Sequence, residues 1–131
     1  MPCSVKALDS MAMARHHAGM LIYKILRAEE WETLSRDGET KGASIDLADG
    51  YVHFSTAEQC RETAAKHFTG AEGLILLACE TEPMGDALKW EVSRGGALFP
   101  HLYRNLFLSD VVWDAPLPLV DGTHVFPEKM A

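Results

Sequence analysis

The stretch YVHFSTAEQ, residues 51–59, changes from the alternating pattern of a strand to the signature of a helix start. Val52 and Phe54 alternate with polar or amphipathic residues, which predicts a strand with one face on the core. The letters STAE that follow match the S-x-x-E capping box of a helix start, and Thr56 with Gln59 offers the same device one residue later. The stretch therefore predicts a strand that runs directly into a helix.

The segments around this junction predict further short elements. The apolar run at 73–79 is too short for a typical isolated helix, so it predicts a central strand covered on both faces. Residues 28–36 favour a short surface helix, and residues 37–50 favour an irregular connection with one helical turn around Ile45. The remaining strands are predicted at 20–27, 88–92, 106–113 and in a terminal hairpin, 117–126, that turns at Asp121-Gly122.

These elements predict one domain of the α+β class. Several strands and two short helices occur without a regular strand-helix alternation, which favours a mixed or antiparallel sheet. We expect this domain to cover residues 20–127, with residues 128–131 as a C-terminal tail. Residues 1–19 lack the continuous apolar segment of a secretory signal. They are interpreted either as a flexible extension or as a segment upstream of a true start at Met20.

The composition narrows the range of partners. The 131 residues include 12 Lys and Arg against 19 Asp and Glu, a net charge of −7, and no basic run. Nucleic acid and anionic membrane surfaces are not expected as partners, because both require clustered positive charge. The longest apolar run is far shorter than the ~20 residues of a membrane helix. The cysteines form no CxxC pair and fit a reduced cytoplasm, where Cys60 and Cys79 are expected to be core thiols.

Chemically useful side chains gather first at the strand-helix junction. In a strand, Tyr51, His53 and Ser55 share the face opposite the core residues. Thr56 stands at the helix start, where unpaired N–H groups and the helix dipole attract an anion such as a phosphate. The alternative is a packed, hydrogen-bonded histidine beside a helix cap that satisfies those donors itself.

A second group of polar residues lies on the predicted strand at 88–92. Lys89 and Glu91 share one face, and Arg94 follows the strand. The face expected to point inward carries the apolar residues Leu88, Trp90 and Val92. A carboxylate flanked by cations stays ionised, as a stabiliser of a developing cation or an acceptor for a hydroxyl requires. The alternative is a solvated strand face with a surface ion pair.

A third group lies in the loop 95–104, where Phe99, His101 and Tyr103 occupy alternating positions. A mixed aromatic and polar lining is typical of small-molecule sites. The alternative is an aromatic loop that seals the edge of the core. The spacing of histidine, glutamate and cysteine residues matches no local metal-ligand motif, so we expect no metal.

Two segments of the chain resemble one small bacterial family. They are GYVHFSTAEQ, residues 50–59, and LKWEVSRGGALFPHLY, residues 88–103, and the resemblance runs from about Met20 to Pro127. The family is catalogued as domain of unknown function 952, and its members are similar to the ADP-ribosyltransferase fold. This resemblance implies a split, curved sheet, whose cleft binds NAD in the active members of that superfamily.

The same resemblance implies roles for individual residues. His53, with Ser55 and Thr56, would hold the ribose and the nicotinamide region of NAD. Glu91 is then the candidate catalytic residue, which activates the acceptor or stabilises an oxocarbenium-like transition state. No E-x-E or Q-x-E pair precedes it, in contrast to active members of the superfamily. Further contacts are implied for Tyr51 or Tyr103 on the nicotinamide ring and for Arg94 on a phosphate.

The leading hypothesis is a protein that binds a nucleotide or a similar anionic small molecule, such as NAD or ADP-ribose. The ligand would lie between the strand-helix junction, the face with Lys89 and Glu91, and the 94–104 loop. An enzyme of this kind would transfer or hydrolyse ADP-ribose. The rivals are a non-catalytic binding or interaction module with the same cleft, and another small hydrolase with His53 or His101 as its general base.

Overall fold

The computed structural model describes residues 20–93 and 96–130, so the predicted extension 1–19 and Arg94 lie outside the described residues. The helices of the described part are α1 (Ala28–Asp37), α2 (Ser44–Asp49) and α3 (Ala57–His67). Its strands are β1 (Leu21–Leu26), β2 (Glu39–Thr40), β3 (Val52–His53), β4 (Leu74–Glu80), β5 (Leu88–Val92), β6 (Leu98–Leu102), β7 (Leu106–Phe107), β8 (Val111–Leu117), β9 (Leu119–Val120) and β10 (Thr123–His124). Short 3₁₀ segments cover Glu82–Ala87, Leu108–Asp110 and Glu128–Met130. None of the described helices has the length and apolar character needed to cross a membrane.

Two three-stranded sheets organise the fold. The first has the strand order β1-β4-β8 and the second the order β3-β6-β5. Every strand pair in both sheets is antiparallel, as are the two-stranded pairs β2-β7 and β9-β10. The predicted α+β class with antiparallel sheets is therefore confirmed. The terminal hairpin also forms as predicted, and Asp121 and Gly122 at its turn both have positive φ, 52° and 81°.

The two larger sheets meet at one backbone contact. Tyr23 on β1 and Ser55, just beyond β3, form an antiparallel bridge. Its two N–H···O=C hydrogen bonds have N···O distances of 2.8 and 2.9 Å. The Phe54 N–H also donates to the Pro100 carbonyl of β6, at 3.0 Å. Over the described residues, β1 has no other strand pairing on this edge. We call the bridge between Tyr23 and Ser55 the seam.

Strand β4 separates two hydrophobic clusters. Leu77 packs in a cluster with Leu34 of α1, whereas Leu76 packs in another cluster with Cys60 and Ala64 of α3. Leu76 and Leu77 are both 0 % exposed. Because side chains alternate across a strand, one helix can cover each face. The predicted central strand, covered on both faces, is confirmed.

The cysteines of the core are inert thiols. Cys60 and Cys79 are both buried and free of disulfides. Burial raises the pKa of the Cys60 thiol to about 12 and also raises that of Cys79. Both remain protonated at neutral pH and lack the thiolate that nucleophilic chemistry requires. The prediction of core thiols is confirmed for these two residues.

The strand-helix junction has the predicted order, with a strand shorter than expected. Val52 and Phe54 are each 2 % exposed and pack into the core. The Gln59 N–H donates to Thr56 Oγ1 at 3.3 Å, and the Thr56 N–H donates to Gln59 Oε1 at 3.0 Å. The second of the two possible capping boxes therefore starts α3.

Three segments differ in secondary structure from the sequence expectation. The predicted loop at 95–104 contains β6, the central strand of the second sheet. Residues 37–50 contain β2, which was not expected, and the six-residue helix α2. The helix α2 lies at the helical turn predicted around Ile45 to Leu47, but it is long enough to count as a third helix where two were expected. The predicted strand 106–113 is interrupted by a 3₁₀ turn. Asp110 in this turn is 1 % exposed, and its carboxylate accepts the Phe107 N–H at 3.0 Å. The buried carboxylate needs such donors, so the chain turns before it continues as β8.

Strand β5 does not present its apolar residues to the core as predicted. Leu88 is half-buried, but Trp90 and Val92 are 39 % and 68 % exposed. Strand β5 is an edge strand that pairs only with β6 among the described residues, and its apolar face becomes more exposed from Leu88 to Val92. Glu91, on the opposite face, has partners instead.

Candidate functional site

A cleft of about 460 Å³ opens beside the seam between the two larger sheets. Its walls include side chains from β1, α2 and β3, together with residues of α3 and β6. Several residues predicted from the sequence lie in this lining, namely Tyr51, His53, Ser55, Phe99 and His101. The fold thus brings the first and third predicted groups to one place.

A buried carboxylate of α2 contacts two residues of the cleft lining, one on β1 and one on β3. Asp46 is 1 % exposed. Its Oδ2 atom lies 2.7 Å from Lys24 Nζ of β1, and its Oδ1 atom lies 2.6 Å from His53 Nδ1 of β3. The backbone N–H groups of Ala43 and His53 also donate to this carboxylate, at 2.7 and 2.9 Å. We call Lys24, Asp46 and His53 the α2 clamp.

Charge and hydrogen bonding keep the Asp46 carboxylate ionised. Burial is the largest influence and by itself raises the pKa of this group. The hydrogen bond from His53 and the positive charge of Lys24 outweigh burial, so the pKa of Asp46 lies below its ordinary value. The α2 clamp is therefore an ion pair inside the protein at neutral pH.

His53 has partners at both ring nitrogens. Its Nδ1 atom faces Asp46, and its Nε2 atom lies 3.0 Å from Asp49 Oδ2 at the end of α2. Only the doubly protonated imidazolium donates hydrogen bonds at both nitrogens. In His53 each ring nitrogen thus faces a carboxylate oxygen of α2, and neither is left for a ligand.

A second histidine, on β6, pairs with the predicted glutamate. His101 is 3 % exposed, and its Nδ1 atom lies 2.7 Å from Glu91 Oε1. The Tyr103 hydroxyl donates to the same oxygen, also at 2.7 Å. Among the described residues, His101 Nε2 is buried without a hydrogen-bond partner. His101 is one of the residues that line the cleft, whereas Glu91 and Tyr103 are not among them.

These contacts shift the pKa values of Glu91 and Tyr103. The hydrogen bond from Tyr103, followed by that from His101, lowers the pKa of Glu91. In turn, the hydrogen bond to Glu91 raises the pKa of Tyr103 to about 12. At neutral pH the carboxylate is therefore ionised and accepts hydrogen bonds only, while the phenol keeps its proton.

Tyr51 connects the two histidines through ring contacts. Its ring centroid lies 4.6 Å from that of His53 and 4.3 Å from that of His101. The Tyr103 ring follows at 5.1 Å. Aromatic rings at these distances attract each other and restrict side-chain rotation. Tyr51 is only half-buried, so this cluster forms an aromatic surface at the cleft.

The other predicted site residues have different surroundings. Ser55 Oγ lies 3.0 Å from Thr63 Oγ1 of α3. The Thr56 side chain caps α3 by accepting the Gln59 N–H, which is the structural role given above as the alternative to anion binding. Lys89 is exposed on the edge strand and does not line the cleft. Arg94 lies outside the described residues.

The sequence interpretation missed Lys24, Asp46 and Asp49. A signal for the first was present, because Lys24 is the one charged residue in the apolar strand segment LIYKIL. A buried lysine needs an acidic partner, but the sequence does not say which acid supplies it. Among the described residues, no group of at least three His, Cys, Asp or Glu side chains is arranged to hold a metal ion.

Comparison with known proteins places the chain in a family. No curated protein matches it. It is 51 % identical to protein CC0527 from Caulobacter crescentus, whose crystal structure aligns with a TM-score of 0.80 over 85 % of this chain and 98 % of that chain. The solution NMR structure of CC0527 aligns at 53 % identity with a TM-score of 0.71, over 79 % of this chain and 90 % of that chain. Residues 25–114 match the family described as protein of unknown function (DUF952), and the chain belongs to this family.

Proposed function

We propose that this protein binds a nucleotide-like small molecule in the cleft beside the seam, with NAD and ADP-ribose as the first candidates. The observation that carries the proposal is the convergence of separately predicted residues on one cavity. Tyr51 and His53 come from the strand-helix junction, and Phe99 and His101 come from a segment far along the chain. A cavity of about 460 Å³ falls within the range of small-molecule sites.

The chemistry of the cleft wall suits a ligand with both a ring and an anionic group. Tyr51 and Phe99 supply aromatic surface against which a base or a nicotinamide ring can stack. Lys24 and Arg27 also line the cleft and supply positive charge near a phosphate. Asp46 compensates the charge of Lys24, which leaves Arg27 as the stronger candidate for a phosphate contact.

The proposed nucleotide site can be catalytic only if the ligand reaches Glu91. The similarity of this family to the ADP-ribosyltransferase fold suggests that Glu91 stabilises a ribosyl cation. Its carboxylate is ionised, which that role requires, and its Oε1 atom lies 2.7 Å from Nδ1 of the cleft residue His101. The alternative is a non-catalytic binding module on the same fold, in which Glu91 only orients His101.

Binding is tested by thermal unfolding with NAD, ADP-ribose, free nucleotides and sugars. A ligand at about a hundred times its Kd adds about 2.7 kcal/mol to the free energy of unfolding, so Tm should rise by several degrees. The variant Tyr51→Leu is expected to reduce this rise. Trp90→Leu is the matched control, because it removes an aromatic ring that lies outside the cleft lining. Unchanged Tm with every adenine nucleotide would remove the nucleotide proposal.

Release of nicotinamide from NAD separates an enzyme from a binding module. In hydrolysis the bond between nicotinamide and the ribose C1′ breaks and water adds at C1′. If Glu91 stabilises the ribosyl cation, Glu91→Gln should slow this release about a hundredfold. Glu62→Gln, at an exposed glutamate of α3, should leave the rate unchanged. Wild-type protein that binds NAD without releasing nicotinamide would support the binding module.

A further inference from the structure

His101 has a ring nitrogen that the fold buries and does not use. The side chain is 3 % exposed, and Nε2 has no hydrogen-bond partner among residues 20–93 and 96–130. Buried polar atoms in folded proteins are nearly always hydrogen-bonded, and an exception calls for an explanation. His101 also contributes to the lining of the cleft, so the unused nitrogen belongs to a residue of the proposed binding site.

The contact on the other side of the ring determines which nitrogen carries the proton. Glu91 Oε1 lies 2.7 Å from His101 Nδ1, and an ionised carboxylate only accepts hydrogen bonds. The proton of a neutral His101 is therefore on Nδ1, and Nε2 keeps its lone pair.

The neighbours of His101 prevent the ring from exchanging its two nitrogens. Tyr103 donates to the same Glu91 oxygen and holds the carboxylate in place. The Tyr51 ring packs 4.3 Å from the His101 ring at an angle of 32°. Register pairing with Lys89 on β5 and with His53 on β3 fixes the backbone of His101 from both sides. The orientation of the imidazole is thus set before any ligand arrives.

We propose that His101 Nε2 is the hydrogen-bond acceptor of the cleft and receives an O–H or N–H donor of the bound small molecule. Glu91 is the positioning residue that keeps the proton of the neutral ring on Nδ1. This inference rests on the proposed small-molecule cleft and defines the ligand group that faces His101. A hydroxyl, an amine or an amide N–H fits this point, whereas a phosphate, carboxylate or carbonyl oxygen does not. His53 offers no equivalent acceptor, because both of its nitrogens face carboxylates.

The test is long-range ¹H–¹⁵N NMR of the full chain labelled at histidine nitrogens. In the free protein, His101 should show a proton on Nδ1 and a bare Nε2. His124 is an internal control with the opposite pattern, since its Nε2 atom lies 2.8 Å from the Ala71 carbonyl and must donate to it. A proton on His101 Nε2 in the free protein at neutral pH would overturn the proposal.

Two probes that differ in one donor then test the acceptor directly. Phenol carries an aromatic ring and a hydroxyl, whereas anisole carries the ring with a methyl ether. Phenol, or ADP-ribose through its hydroxyls, should shift the Nε2 resonance of His101, and anisole should not. His101→Phe should weaken phenol binding about tenfold, as expected for the loss of one hydrogen bond. An Nε2 resonance that no donor moves would also overturn the proposal.

The outcomes separate this inference from the proposed function. If ADP-ribose raises Tm but leaves Nε2 unmoved, the acceptor role fails and the nucleotide proposal stands. If phenol moves Nε2 and no nucleotide raises Tm, the acceptor role stands and the nucleotide proposal fails. The positioning role has its own readout: Glu91→Ala should give a mixture of His101 tautomers, whereas Tyr103→Phe should keep the single tautomer. A single unchanged tautomer in Glu91→Ala would remove Glu91 from that role.

Discussion

Replacement of Asp46 by Asn is expected to lower the free energy of unfolding by about 3–5 kcal/mol, as is usual when one partner of a buried ion pair is removed. Lys24 and Asp46 are 5 % and 1 % exposed, and their charged atoms lie 2.7 Å apart. The substitution would leave the Lys24 ammonium buried without a compensating charge. It would also weaken the contact with His53. Urea unfolding monitored by tryptophan fluorescence measures the change.

A double-mutant cycle identifies the buried charge as the cause. Lys24→Met removes the cation, so the double variant Lys24→Met with Asp46→Asn should recover a large part of the lost stability. Asp37→Asn is the surface control, because its partner Arg36 is well exposed and the pair contributes little. If Asp46→Asn and Asp37→Asn have equal effects, the α2 clamp does not stabilise the fold.

The lowered pKa of Asp46 gives this stabilisation a defined pH range. An aspartate in the unfolded chain has a pKa of about 3.9. Because the pKa of Asp46 in the folded protein is lower, its contribution is fully present above the unfolded value. It is lost as the pH falls below about 4 towards the folded value. Urea midpoints between neutral and acidic pH should show this loss in the wild type and not in Asp46→Asn.

The substitution Gly42→Ala is expected to destabilise the protein by roughly 2–5 kcal/mol. Gly42 has φ of +104°, and the left-handed backbone region costs an L-residue about 1–2 kcal/mol. A Cβ atom at this position would lie 2.7 Å from Asp46 Cβ and closer still to Asp46 Oδ2. Displacement of a packed side chain adds about 1–3 kcal/mol. Asp46 cannot yield easily, because Lys24 and His53 hold its carboxylate.

The change Gly38→Ala separates the steric effect at Gly42 from backbone strain. Gly38 also has a positive φ, +81°, but a methyl group added there would have no atom within 4 Å. Only the backbone cost of about 1–2 kcal/mol is expected there. Chemical denaturation of the two variants measures both effects. Equal losses would mean that the contact with Asp46 contributes nothing.

The elements of this fold that the sequence predicted correctly depend on neighbouring residues. The alternation of Val52 and Phe54, the capping pair Thr56 and Gln59, and the turn at Asp121-Gly122 are all visible within a few positions. The central strand β4 was recognised from its continuous apolar run for the same reason. Local backbone geometry and side-chain period determine these features, so a short window of sequence is sufficient.

The errors arose where a residue's environment depends on distant strands. The alternation in β5 predicted that Trp90 and Val92 point inward, but β5 is an edge strand and both side chains are exposed. Alternation defines two faces without saying which one is buried. The interruption of the strand at 106–113 likewise depends on the buried Asp110, which Arg104 contacts at 2.9 Å.

The sequence alone determined the α+β class, the strand-helix junction at 51–59 and the presence of polar residues at alternating positions. Only the tertiary structure decided which of those residues face each other. It paired Lys24 with Asp46 and Glu91 with His101, and it placed His53 and His101 beside one cleft. These pairs join separate strands and helices, and their geometry follows from sheet register and from the seam. Sequence periodicity describes one helix or strand at a time. A site forms where several elements meet, and periodicity does not say which residues of different elements come close together.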